Sequence, residues 1–156
     1  MENKPKYIDK AIDRGYSVEV DIRGSFMDGL FLGHDKAQYE VSPEWVFDRT
    51  EHLWIHTKDI QSFYTFTQQT TACNAFWHQT DYHVLTTAGF IWAHPGSILT
   101  PRSICVMPEI SQTAYTAEDL QHCAGICSDY VSKYKWNSRG NKFRPRLYQS
   151  YYATLD

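Results

Sequence analysis

Short apolar segments that become polar at their carboxyl ends recur along this chain and constrain its fold more than any other feature. Six of them have the length and composition of strands, at residues 16–23, 53–58, 75–78, 90–95, 103–109 and 124–129. At or near those ends stand Glu19, Asp21, His56, Lys58, His78, His94, Glu109 and Asp129. In parallel α/β folds the loops that leave one edge of the sheet form the site. The pattern predicts an α/β fold with one polar site; the alternative is that each polar residue begins a solvated loop.

Helix and turn signals separate these segments. Residues 7–14 have helical spacing and end at Gly15, and residues 60–69 also have the pattern of a helix. Thr116 and Asp119 have the spacing of a capping box, which predicts a helix through His122. The pair Asp28-Gly29 predicts a hairpin after the first strand.

The first predicted strand has two chemically different faces. Side chains alternate along a strand, so Val18, Val20 and Ile22 face one way while Glu19, Asp21 and Arg23 face the other. Two neighbouring carboxylates are suitable oxygen ligands for a hard divalent cation such as Mg²⁺ or Ca²⁺. The alternatives are an exposed strand edge of alternating charge and neutralisation of the pair by Arg23.

Two further segments carry candidate catalytic side chains. His34 lies between Gly33 and Asp35, and an imidazole that titrates near neutrality is suited to proton transfer. Lys58 lies two residues after His56, so both face the same side of a strand, where the ammonium group could neutralise a phosphoryl oxygen. The alternative for Lys58 is a surface lysine at a strand end.

Length and charge limit the classes of protein. The 156 residues allow one domain with a substantial core, and the net charge of -3 makes nucleic acid an unlikely partner. Residues 133–156 contain six basic residues and one acidic residue, which makes the tail a separate compositional unit. No apolar run is long enough to cross a membrane, and the polar first six residues do not resemble a secretory signal, so a cytoplasmic protein is expected.

A longer stretch of sequence resembles a known family. Residues 11–21 contain Gly15 followed by Glu19-Val20-Asp21, and Asp28-Gly29 and Gly33-His34-Asp35 come next. This combination resembles the glycerophosphodiester phosphodiesterase family, in which a helix and a glycine precede Glu-x-Asp, an Asp-Gly turn and His-Asp. Residues 55–58 are similar to the family's third strand and residues 124–130 to its last one. The resemblance covers about residues 7–135.

The resemblance implies an α/β fold of the TIM-type (β/α) barrel and hydrolysis of a glycerol-linked phosphodiester with a divalent cation. It implies that Glu19 and Asp21 are metal ligands and that His34 is a general acid or base. His56 stands where the family carries a Glu ligand, so Mn²⁺ or Zn²⁺ is as suitable as Mg²⁺ or Ca²⁺. We count His56 among the metal ligands and Lys58 among the catalytic residues. The remaining polar candidates are assigned to substrate binding, namely Arg23, His78, His94, Glu109 and Asp129.

The sequence departs from the family at its start. Family members begin with a strand that ends in His-Arg-Gly, and no such motif precedes Tyr7. We therefore expect a reduced barrel with short helices over residues 1–135. The basic, tyrosine-rich residues 136–156 would pack on it, with residues 146–155 taking the place of the first strand and Arg144 and Arg146 approaching the phosphate site. The alternatives are a disordered tail and a strand supplied by a second copy in a homodimer.

Three functions remain open at this level. The first is a metal-dependent phosphodiesterase-like enzyme that acts on a small glycerol or lipid-headgroup phosphodiester. The second is a catalytically impaired descendant that binds a phosphorylated ligand or a protein partner. A nucleic-acid module built on the Tyr/Arg tail is a third and weaker interpretation, because aromatic and cationic groups together can stack bases.

Overall fold

The structure, a computed structural model, describes residues 2–68, 73–111, 115–134 and 146–149. The chain forms a mixed α/β fold of short helices and short strands. The helices are α1 (Pro5–Asp13), α2 (Pro43–Phe47), α3 (Ile60–Thr67) and α4 (Ala117–His122). The strands are β1 (Ser17–Ser25), β2 (Gly29–Leu32), β3 (Tyr39–Val41), β4 (Leu53–Thr57), β5 (Asn74–Phe76), β6 (His83–Leu85), β7 (Ile91–Ala93), β8 (Ser103–Val106), β9 (Gly125–Ser128) and β10 (Arg146–Gln149). The α/β class predicted from the sequence is confirmed.

All ten strands belong to one sheet. Parallel pairs connect β10 to β1, β1 to β4 and β4 to β5 on one side, and β7 to β8, β8 to β9 and β9 to β10 on the other. Antiparallel pairs add β2 and β3 at the end of β1, and β6 beside β7. In the described residues the sheet does not close into a barrel, since β5 pairs with β4 and with no other strand.

Local sequence signals account for most of these elements. Asp28-Gly29 makes the turn between β1 and β2, with Gly29 at a φ of 97°. The capping box of α4 is formed on both sides, because Thr116 accepts from the Asp119 amide while the Asp119 carboxylate accepts from Thr116. α1 begins with Pro5 in its first turn, a position that needs no donor, and is followed by Gly15 at a φ of 85°. The sequence analysis did not predict β3, α2 or β6.

The two faces of the sheet have separate cores. Val18, Val20 and Ile22 of β1 pack with Ile55 of β4 and with the buried side of α1. The opposite face carries Trp54, Phe76 and Trp92 together with other apolar residues. Burying these apolar side chains removes them from water and holds the helices on one side of the sheet. The second face is the one that turns polar toward the carboxyl ends of the strands.

The segment 146–149 forms β10, which lies between β1 and β9 and is parallel to both. It therefore fills the position beside β1 that the sequence analysis assigned to the tail. Arg146 begins this strand opposite Gly125, the first residue of β9, at the amino-terminal edge of the sheet. Parallel pairing therefore places the backbone of Arg146 at the edge opposite the carboxyl ends of the strands. Arg144 and the boundary between residues 135 and 136 lie outside the described residues.

Within the part of the chain that the structure describes, none of the helices has the length and apolar character needed to traverse a bilayer.

Candidate metal and active site

A cavity of about 250 Å³ opens at the carboxyl ends of the parallel strands. Its polar wall combines two carboxylates with four imidazoles, and its apolar wall is formed by side chains of β7, β8 and β9 and the loops after them. The polar residues are Glu19, Asp21, His34, His56, His78 and His94, and the others are Trp92, Pro95, Val106, Met107, Ile110 and Cys127. Six of the ten site residues predicted from the sequence thus line one cavity.

The strands position the three inner histidines by the same rule. Each follows, two residues later, an aromatic side chain of the inner core: Trp54 and His56, Phe76 and His78, and Trp92 and His94. Residues two apart on a strand face the same side, so the aromatic ring is buried and the imidazole lies above it. His56 and Phe76 are stacked with ring centroids 5.1 Å apart. The repeated aromatic-x-His pattern is a sequence signal for this layer.

Strand register brings the carboxylates to the first of these histidines. Asp21 of β1 is the direct partner of His56 of β4 in the parallel ladder. The Nδ1 atom of His56 lies 3.1 Å from Asp21 Oδ1 and 3.6 Å from Glu19 Oε1. Lys58 continues the same strand face, and its Nζ lies 3.3 Å from Asp21 Oδ1. The ammonium group of Lys58 is therefore an ion-pair partner of Asp21 rather than part of the cavity wall.

Asn3 holds Asp21 from the other side and was not singled out from the sequence. Its side-chain amide donates to Asp21 Oδ2 at 2.8 Å, and its Oδ1 accepts from the Asp21 backbone N–H at 2.8 Å. Asn3 is 1% exposed and has a left-handed φ of 57°, a conformation that asparagine tolerates better than most residues. An asparagine upstream of the first helix carries no local signal of this contact, which forms only when the chain folds back on β1.

The two carboxylates have opposite pKa shifts. Burial acts to raise the pKa of Asp21, but hydrogen bonds with His56 and Asn3 and the charge of Lys58 outweigh it and lower the pKa to about 2. Burial, together with the negative charge of Asp21, raises the pKa of Glu19. Burial acts to lower the pKa of His56, yet its contacts with Asp21 and Glu19 raise it. The carboxyl group of Asp21 is therefore ionised at neutral pH.

His78 and His94 extend the row of imidazoles away from the carboxylates. The rings of His56 and His78 are stacked at 4.6 Å and 9°, and His94 meets His78 edge-on at 4.7 Å and 67°. Burial, and after it the charge of His56, lowers the pKa of both rings, that of His78 to about 4. Both are therefore neutral near pH 7 and offer a lone pair on one ring nitrogen.

His34 enters the cavity from the loop after β2. Its Nδ1 lies 2.7 Å from Asp35 Oδ1, a contact that orients the ring. Arg23 secures the loop through bonds to the carbonyl oxygens of Gly33 and His34, at 3.3 and 2.6 Å. Gly33 has a φ of 147°, and a Cβ there would collide with the Lys36 carbonyl oxygen, so this loop requires glycine.

The remaining predicted residues lie outside the cavity wall. The carboxylate of Glu109, in the 3₁₀ turn Pro108–Ile110 after β8, accepts from Ser128 Oγ at 2.8 Å and from the Tyr134 hydroxyl at 3.1 Å. Asp129 directly follows β9. The guanidinium of Arg23 is directed at the His34 loop, as described above. The structure therefore brings together the predicted metal ligands and histidines, while Arg23, Glu109 and Asp129 are not among the residues that line the cavity.

The cluster of Glu19, Asp21 and His56 has the chemistry of a divalent-cation site. One ligand atom from each residue lies within 4.8 Å of the other two. Asp21 is 3% exposed, and its Oδ1 lies 3.1 Å from His56 Nδ1 and 3.3 Å from Lys58 Nζ. Two carboxylates and one imidazole suit Mn²⁺ or Zn²⁺ as well as Mg²⁺. The residues present fit such an ion.

Comparison with known proteins gave no match to a protein-family model, a curated protein or a solved structure.

Proposed function

We propose that this protein is a metal-dependent phosphodiesterase-like hydrolase that acts on a small phosphodiester of glycerol or a lipid headgroup. The observation that carries the proposal is the convergence of Glu19, Asp21, His56 and His34 on one cavity, with Lys58 against Asp21. Phosphodiester hydrolysis is promoted by a cation that offsets negative charge on the phosphoryl group and by an imidazole that transfers protons. The cavity has residues suited to both roles. The resemblance of residues 11–35 to glycerophosphodiester phosphodiesterases, which includes Glu19, Asp21 and His34, favours the same chemistry.

We also propose that the sheet is a reduced TIM-type barrel. Seven strands, β10, β1, β4, β5, β7, β8 and β9, run parallel in the order that a barrel would have. Two hydrogen bonds connect β5 to the segment after β6, from Thr87 N to Ala75 O at 2.8 Å and from Ala75 N to Thr87 Oγ1 at 2.9 Å. These bonds support a ring whose remaining seam lies between β5 and β7.

Each polar side chain has a distinct task in this proposal. A cation held by Glu19, Asp21 and His56 supplies positive charge that offsets the negative charge developing on the phosphoryl oxygens. Lys58 adds a fixed positive charge beside Asp21 and keeps that carboxylate ionised. His34, oriented through Nδ1 by Asp35, exchanges a proton with the attacking or leaving oxygen through Nε2. The cavity volume of about 250 Å³ suits a headgroup-sized ligand.

The test is hydrolysis of an aryl phosphodiester and of glycerophosphocholine in the presence of Mg²⁺, Ca²⁺, Mn²⁺ or Zn²⁺. We expect turnover that requires a cation, is abolished by EDTA and falls at least about 100-fold in Glu19→Gln and in His34→Gln. His122→Gln, which removes an exposed histidine of α4 outside the cavity lining, serves as the matched control and should retain full activity.

Two results would contradict this proposal. Turnover that persists in both cavity variants would arise elsewhere or from a contaminant. A complete absence of turnover with every cation, combined with retained binding of the phosphodiester, would instead support a non-catalytic protein that binds phosphorylated ligands. Isothermal titration with glycerophosphocholine supplies the binding measurement, and thermal unfolding of each variant shows that it is folded.

A further inference from the structure

The inner wall of the cavity carries a continuous row of three imidazoles, of which the first alone belongs to the carboxylate cluster. His56 lies on β4, and His78 and His94 follow the ends of β5 and β7. The three rings stand next to one another beyond the aromatic layer of Trp54, Phe76 and Trp92. The aromatic-x-His repeat puts them there by strand geometry. In the function proposed above the cation site and His34 have specific roles, whereas His78 and His94 have only the general assignment to substrate binding.

The unsatisfied polar atoms of the described residues concentrate in this cavity. Among the described residues, four buried side-chain nitrogen or oxygen atoms lack a hydrogen-bond partner, and three of these atoms belong to residues that line the cavity. They are His78 Nδ1, His94 Nε2 and Asp21 Oδ1, and the fourth is Asn74 Oδ1. Asp21 Oδ1 has the cationic groups of His56 and Lys58 beside it at 3.1 and 3.3 Å, so the two histidine nitrogens are the atoms that most need a ligand. Buried polar atoms without a partner are unfavourable and point to a bound ion or water. One of these atoms is at the carboxylate cluster and two are at the far histidines.

Ring geometry decides how these atoms can share ions. An imidazole nitrogen directs its lone pair in the plane of the ring. His56 and His78 are parallel within 9°, so their lone pairs lie in separate planes and do not meet at one ion. The rings of His78 and His94 are inclined at 67° with centroids 4.7 Å apart, so their planes cross, and this arrangement permits one ion to be shared by both rings. The row therefore divides into His56 with the carboxylates and His78 with His94.

We propose that His78 and His94 hold a second divalent cation of the nitrogen-preferring class, such as Zn²⁺, next to the cation of Glu19, Asp21 and His56. This inference extends the site of the proposed function and rests on that function for its catalytic meaning. Imidazole nitrogens select Zn²⁺ over Mg²⁺ and Ca²⁺, which prefer oxygen. With two protein ligands, the second ion keeps coordination positions for water and a phosphodiester oxygen. A second cation held by these histidines would add to the positive charge that stabilises the attacking and leaving oxygens in two-metal phosphoryl-transfer sites.

The experiment is equilibrium dialysis of the full chain against Zn²⁺, with bound zinc counted by atomic emission. We expect two ions per wild-type chain and one in the double variant His78→Gln/His94→Gln. Each single variant should weaken one of the two binding steps at least about tenfold. Glu19→Gln should weaken the other step and spare the histidine ion. His122→Gln is the control for adventitious binding by exposed histidines and should bind two ions.

Co²⁺ absorption supplies a second readout on the same proteins. Titration with Co²⁺ should give two spectral components, and the component with nitrogen ligands should be lost in His94→Gln. One zinc ion per wild-type chain, or unchanged zinc binding in both single variants, would overturn the proposal. The single variants keep the test decisive if the double variant fails to fold.

Hydrolysis measurements separate this inference from the proposed function. Two bound zinc ions without turnover would leave the second site standing and contradict the hydrolase. Cation-dependent turnover with one bound ion, insensitive to His78→Gln, would support the hydrolase and overturn the second site.

Discussion

At the scale of single residues, the site depends on how the Asp21 carboxylate is held. Its Oδ2 is engaged by Asn3, which leaves Oδ1 directed at His56 and Lys58. A carboxylate with one oxygen restrained in this way presents the other in a fixed direction, and such supporting contacts commonly tune metal affinity. Asn3 is therefore a positioning residue, since it acts through Asp21.

Replacement of Asn3 tests this role. In Asn3→Ala we expect Mn²⁺ affinity to fall about tenfold or more, because Asp21 loses the donor that orients it. Titration calorimetry with Mn²⁺ measures the change, and Lys4→Ala, at the next and exposed position, is the control. Binding of Mn²⁺ by Asn3→Ala as tightly as by the wild type would exclude a positioning role.

At the scale of elements, the loops after β8 and β9 are connected by one carboxylate. Glu109 of the turn after β8 accepts hydrogen bonds from Ser128, the last residue of β9, and from Tyr134, which follows the 3₁₀ turn Val131–Lys133. Met107, adjacent to this turn, lines the cavity. Glu109 was predicted from the sequence to bind substrate, and its contacts connect three segments around the site.

The contact between Tyr134 and Glu109 makes the stability of the fold decrease at alkaline pH. Burial, and next the negative charge of Glu109, raises the pKa of Tyr134 to about 12, above the value of about 10 for an unfolded tyrosine. The protonated hydroxyl thus stabilises the fold fully below pH 10, and this stabilisation is lost as the pH rises from about 10 to about 12. Urea unfolding at several alkaline pH values should show a smaller decrease in the free energy of unfolding for Tyr134→Phe than for the wild type.

Tyr64→Phe is the matched control for the pH experiment, because the side chain of Tyr64 is 58% exposed on α3. It should lose stability with pH in parallel with the wild type. If Tyr134→Phe and the wild type lose stability equally between pH 10 and 12, the bond between Tyr134 and Glu109 does not contribute to folding.

At the scale of the whole molecule, β10 joins the two halves of the sheet. It pairs with β1 on one side and with β9 on the other, so its removal would expose the backbone donors and acceptors of two inner strands. Unpaired inner edges are templates for association with other chains. The 146–149 segment is therefore a structural part of the domain.

Truncation tests this part of the fold. Deletion of residues 143–156 should cause aggregation or unfolding, measured by size-exclusion chromatography with light scattering and by circular dichroism. Deletion of residues 151–156 retains β10 and serves as the control. A folded and monomeric protein after the longer deletion would show that β10 is dispensable.

Much of the local structure could be predicted from periodicity. The alternation of Val18, Val20 and Ile22 with Glu19 and Asp21 correctly separates the buried face of β1 from the cavity face. The capping box of α4 and the Asp28-Gly29 turn are also correct, because each depends on residues three or fewer positions apart. Strands β3 and β6 were not predicted, because neither lies in a mainly apolar run like those of β5 and β7, and antiparallel pairing with β2 and β7 defines them.

The sequence by itself determined which side chains share a face: Glu19 with Asp21 on β1, and His56 in line with Trp54 on β4. Only the tertiary structure decided which faces meet. The pairing of Asp21 with His56, the approach of Asn3 to Asp21 and the edge-on contact of His78 with His94 join residues 16 to 35 positions apart. Such distances depend on strand register and order, which arise from hydrogen bonding and packing between segments, whereas the face of a strand depends on the fixed alternation of its own backbone.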